Sequence, residues 1–185
     1  MNVPLITPEL VCLDADLGST KAEVITSVAG IIAAAGRADA DGLAHDALDR
    51  EAQSPTGMPG GFAIPHCRSA AVSQPSLGFA RLSPAVDFNG PDGPADLVFM
   101  IAAAEGAGAD HMKLLTKLAR ALVKPEFVEQ LRQATDARTV VDLIESVVEP
   151  DAAAPSSAAV SPASAAPDPA VQAPAVPSQT AGTEA

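Results

Sequence analysis

Arg50-Glu51-Ala52-Gln53-Ser54-Pro55-Thr56-Gly57-Met58-Pro59-Gly60-Gly61-Phe62-Ala63-Ile64-Pro65-His66-Cys67-Arg68 is the stretch from which the rest of the chain is read. Glycine costs conformational entropy in regular elements and proline removes a donor, so Gly57, Pro59, Gly60 and Gly61 predict a tight loop. Phe62-Ala63-Ile64 then reads as a short buried strand. Pro65 ends it, because it lacks the N–H a ladder needs and holds its predecessor extended. His66 is thereby expected at a rigid strand end, near solvent yet fixed in direction. A satisfied structural histidine fits that place as well as a reactive one does.

Upstream of this stretch, Leu10 to Leu13 is compatible with a short strand and Asp16 to Ser19 with a turn. Thr20 followed by Glu23 matches a capping box, and Val24, Ile25, Val28, Ile31 and Ile32 recur at helical spacing up to Gly36. Asp39 or Asp41 can cap a second helix through Leu43, Ala44, Ala47 and Leu48, ending near Arg50 and Glu51. His45 lies inside that helix and reads as a surface residue. Arg50, at its end, can fold back toward His66; a planar guanidinium suits a phosphoryl group bidentately, although a solvated helix-end cation is equally ordinary.

Downstream, Leu77 to Leu82 reads as a strand, Phe88 to Pro94 as dense turn chemistry, and Leu97 to Ala103 as an apolar strand buried on both faces. Asp110 can cap the next helix. His111, in its first turn, shares one face with Leu114, Leu115, Leu118 and Leu122, so it is expected to point inward at a helix start that favours anions. It can also merely cap or pack there. Pro125 to Leu131 and Thr139 to Val148 complete the helices as cover for the sheet. The expected fold is therefore α/β, a mixed β-sheet sandwiched between helices in a single domain over residues 1–149. From 150 to 185 the composition turns to Ala, Pro and Ser, which cannot bury a core and reads as a disordered linker or tail.

A formal charge of -12 and a pI near 4.4 leave no basic run for a phosphate backbone, so nucleic acid is not an expected partner. Cys12 and Cys67 are too few and too far apart for a disulfide scaffold, which fits a reduced cytoplasmic compartment. The N-terminus lacks the basic leader of a signal peptide, and the most apolar stretch, Val24 to Ala35, is shorter than the roughly 20 residues of a membrane span. His66, Cys67 and His111 have no paired metal-ligand spacing, so no metal or other cofactor is expected. The G-x-x-x-x-G-K-[ST] loop is missing, so ATP is not the expected phosphate donor.

Arg50-Glu51, the small-residue loop, Ala63-Ile64-Pro65-His66 and the distal His111 occur in an order that resembles the fructose/mannitol class (type 2) of enzyme IIA domains of the bacterial phosphoenolpyruvate-dependent sugar phosphotransferase system. The resemblance runs from about Leu5 to Val148; Pro59, Phe62 and Cys67 depart from the family's usual residues. It implies a phosphotransferase component that forms a phosphohistidine. His66 would accept a phosphoryl group from the phosphorylated histidine carrier protein and pass it to a sugar-specific IIB domain, with fructose the family-level sugar. The membrane would be met only through the IIC permease. Arg50 and His111 would assist at the site, with Thr56, Gly60 and Gly61 as further phosphate-contact candidates. A regulatory domain of the same fold, or an interaction module without phosphorylation, are the rival readings.

Overall fold

The apolar run expected as a buried strand is the spine of the sheet. In the computed structural model, which describes residues 3–148, it forms β6 (Ala95–Ala104), and every residue from Leu97 to Ala103 is buried. The stretch 150–185, expected to be a tail, lies outside the described residues. Burial on both faces of β6 requires cover on both sides, and two separate groups of helices supply it. One group is α1 (Lys21–Ala34) and α2 (Ala40–Gln53), packed on each other and on the sheet; the other is α3 (Gly108–Leu122), α4 (Pro125–Gln133) and α5 (Ala137–Val148).

The sheet is mixed and six-stranded, in the order β1 (Val11–Ala15), β5 (Ser76–Val86), β6, β3 (Phe62–Ala63), β2 (Gly57–Met58), with β4 (His66–Ser69) also paired to β6. β5 and β6 form an antiparallel hairpin around the turn-rich Phe88 to Pro94 segment, while β1 runs parallel to β5 and β3 and β4 run parallel to β6. Phe99, at the centre of β6, packs edge-on against both Phe62 and Phe79, at centroid separations of 6.5 and 5.1 Å.

Local sequence rules account for the element ends. Thr20 and Glu23 close the capping box on α1, and Asp39 caps α2 by accepting from Gly42 N at 2.9 Å. Asp110 is not the cap of α3. Ala107 holds that position without a side-chain bond, and Asp110 lies in the first turn, ion-paired to Lys113. β5 continues through Pro84, where the pairing register shifts between Arg81 and Val86 and the missing N–H costs no ladder bond.

The structure refines the expectation for the organising stretch in two ways. The tight loop expected at Gly57 to Gly61 is the turn of a small hairpin between β2 and β3, with Gly60 and Gly61 at φ of 97° and 76°. β3 does end before Pro65, at Ala63, yet Pro65 does not take the chain off the sheet. Its carbonyl accepts from Ile101 N at 2.9 Å, and pairing to β6 resumes at His66, so His66 opens a strand. A proline is tolerated here because the neighbouring strand needs its oxygen, not its nitrogen.

Candidate functional site

β4 delivers His66 beside the first turn of α3, and there it meets His111. The two rings lie 5.8 Å apart at 45° in a pocket of about 700 Å³. Arg50 reaches the same pocket from the last turn of α2, so of the six residues singled out in the sequence the fold brings together His66, His111 and Arg50.

The other three are elsewhere. Thr56 is buried and its hydroxyl donates to Glu51 Oε2 at 2.6 Å, while its N–H donates to Glu51 Oε1 at 3.0 Å. Gly60 belongs to the hairpin turn, where its N–H binds Asp92 and its carbonyl accepts from Arg132; Gly61 sits beside Arg132 and Asp96. None of the three lines the pocket. The glycines serve a turn, and Thr56 serves a buried carboxylate.

His66 is half-buried, and its Nδ1 lies 2.7 Å from the carbonyl oxygen of Ile64. A carbonyl can only accept, so Nδ1 carries the proton and Nε2 of the neutral ring keeps its lone pair. Burial pushes the ring's pKa below 6.5, opposed by the Ile64 bond and reinforced by the nearby Arg50 charge. The neutral, nucleophilic form is thereby favoured. His111 is buried, and its pKa is likewise lowered, first by burial and then by His66 and Arg68. Its Nδ1 has no hydrogen-bond partner among the described residues. Leaving a buried polar atom unpaired costs about 1–3 kcal/mol, a cost that recurs at sites where a ligand completes the bond.

Several lining residues carry no signal in the linear sequence. Asp46 and Asp49 come from α2, Glu105 from the loop after β6, Arg68 from β4. Only Arg68 had a usable clue, since residues two apart on a strand share a face and Arg68 stands two after His66. Cys67, between them, points into the core, and burial pushes its thiol up to about 12, so it is inert. No group of three metal-ligating side chains suited to holding an ion occurs among the described residues, and no described helix is long and apolar enough to cross a membrane.

A neutral imidazole with one free nitrogen, beside a second imidazole and unpaired cations in an open pocket, is the equipment of a group-transfer carrier that takes an anionic group by nucleophilic attack. Comparison with known proteins says which one. Residues 4–147 match the family described as phosphoenolpyruvate-dependent sugar phosphotransferase system, EIIA 2, and the chain belongs to that family. It is a phosphotransferase component that works through a phosphohistidine, of the kind that passes phosphate to IIB domains. A fructose-specific EIIA component of Haloferax volcanii is 38% identical over 151 residues, covering 80% of this chain and 97% of that protein. The fructose-specific EIIABC component of Bacillus subtilis is 39% identical over 126 residues, which cover 67% of this chain but 20% of that longer protein. Among solved structures, the nitrogen regulatory protein IIA-Ntr of Neisseria meningitidis superposes with a TM-score of 0.70 at 27% identity, covering 76% of this chain and 96% of that one.

Proposed function

We propose that the chain accepts a phosphoryl group on Nε2 of His66 from the phosphorylated histidine carrier protein and passes it to a cysteine of a sugar-specific IIB domain, in the uptake of fructose. The observation that carries this reading is the Nδ1–Ile64 bond, which leaves Nε2 as the free nucleophile. In the first step the donor's N–P bond breaks as the His66 Nε2–P bond forms; in the second, that bond breaks as an S–P bond forms. Such transfer asks for alignment and charge stabilisation more than for covalent assistance. Arg50 serves as the cationic clamp, and His111, with the free N–H groups of the α3 start, faces the phosphoryl oxygens. The fructose-specific names of the Haloferax and Bacillus relatives favour that sugar, and the Bacillus protein's name joins A, B and C components in one chain. Residues 1–149 act as the carrier domain and 150–185 as a linker to such a partner.

The test is phosphorylation by phosphoenolpyruvate with enzyme I and the carrier protein, read by intact mass. Wild type is expected to gain one acid-labile phosphate and His66→Ala none. Incorporation into His66→Ala at the wild-type rate would remove His66 from the reaction. The likeness to a nitrogen regulatory IIA supports a second reading, in which the phosphorylated state of the same histidine controls a partner. A partner that binds only one phospho-state, with no phosphate passed to a IIB domain, would establish it.

A further inference from the structure

We infer that Arg68 is a second phosphoryl-contacting residue, paired across the pocket with Arg50, so that a phosphoryl group on His66 is held between two guanidinium groups. The inference rests on His66 being the acceptor. Three observations carry it. First, Arg68 follows His66 by two on β4, whose pairing with β6 is regular from His66 to Ser69, so both side chains leave the same face of the strand. Cys67 and Ser69, on the other face, are buried, whereas His66 and Arg68 are not. Second, the pocket is lined by both arginines together with Asp46, Asp49 and Glu105, yet among the described residues neither arginine is ion-paired to any carboxylate. The Arg50 side chain makes only a long bond to the Ser54 carbonyl, at 3.3 Å, and the Arg68 side chain makes no hydrogen bond among the described residues. Third, four of the five other arginines are tied down: Arg81, Arg132 and Arg138 are paired with carboxylates and Arg37 with a carbonyl and a hydroxyl, while Arg120, exposed on α3 outside the pocket, is the fifth.

The charges match the guest. A phosphorylated side chain carries about -1.5 to -2 at neutral pH, and an arginine fork meets two of its oxygens at once. Arg50 approaches from the helix and Arg68 from the strand, so each guanidinium can take a different edge of the group. The Arg68 charge is also felt at His111, which it disfavours in the protonated form. The neutral His111 is thus kept beside a site whose positive charge is supplied by the two arginines.

The deciding experiment uses the full chain, phosphorylated enzymatically and then purified away from its partners, and follows the phosphorus resonance of the phosphohistidine against pH. A cation touching the phosphoryl group stabilises its dianion and lowers its second pKa, so Arg68→Ala should raise that pKa by about 1 unit, and Arg68→Lys by less. Forward transfer should fall by about 10- to 100-fold in kcat. An identical titration curve in wild type and Arg68→Ala, or a change confined to KM, would place Arg68 in partner docking and overturn the assignment. If wild type takes up no phosphate, the carrier reading itself fails. If it does, and His66→Ala does not, only the role of Arg68 is at stake.

Discussion

Two groups of arginines differ in what surrounds them. At the edge where α4 meets the sheet, Arg81 holds both oxygens of Asp14 at 2.7 Å and also donates to the carbonyls of Leu131, Arg132 and Ala134, while Arg132 grips Asp96 and the Gly60 carbonyl at 2.8 Å. At the His66 pocket, Arg50 and Arg68 have carboxylates as neighbours and pair with none. The residue type is the same. A cation whose donors are all used closes a helix end or pins a hairpin, whereas a cation with free donors is available to an anion that comes and goes. Stability and chemistry are thus kept in different parts of one small domain.

That contrast is broken most sharply by exchanging the two kinds of arginine for alanine. Arg81→Ala leaves the carbonyls of Leu131, Arg132 and Ala134 without their donor, and should cost about 3 kcal/mol in chemical denaturation. Arg50→Ala should leave the denaturation midpoint near wild type while transfer collapses; a Arg50→Ala protein as destabilised as Arg81→Ala would mean that Arg50 is structural after all. Glu51 tests the boundary between the two regions. It is buried, holds Thr56 through both oxygens and meets Lys21 at 3.4 Å, directly beside Arg50 in sequence. Glu51→Ala should cost about 2 kcal/mol by leaving the Thr56 N–H and hydroxyl unpaired. An unchanged melt would show that the buried network can be dismantled freely.

The smallest expected effect concerns pH. Both pocket histidines titrate below 6.5 in the folded chain, so the folded state binds fewer protons than the unfolded one as the solution is acidified. Their contribution to stability is fully present above 6.5 and is lost as pH falls through the lowered folded values. The midpoint of denaturation should therefore slip between pH 7 and pH 5, and slip less in a His66→Gln/His111→Gln double variant. Equal slopes in the two proteins would assign the acid loss to other groups.

Helices and the central strand were legible because each follows a short-range rule. The Thr20–Glu23 box, the apolar stripe of α1, the Asp39 cap and the unbroken run in β6 all depend on neighbours within a few residues. His66, Arg50 and His111 were legible through their order along the chain. Thr56, Gly60 and Gly61, the weaker phosphate-contact candidates, lie away from the pocket, a placement that the order of residues along the chain does not reveal. In the fold the hairpin carries the glycines to Asp92 and Arg132, and Glu51 claims the threonine.

The amino-acid order by itself determined the helices and the longer strands, that the last turn of α2 carries a cation, and that a histidine follows a proline, since these rest on propensity, periodicity and spacing. Only the tertiary structure decided that pairing resumes after Pro65, that two imidazoles from β4 and α3 meet at 5.8 Å, and which arginines are left without a partner. Those outcomes depend on contacts between residues dozens of positions apart, and an electrostatic role exists only once the neighbours of a charge, and the water excluded around it, are in place.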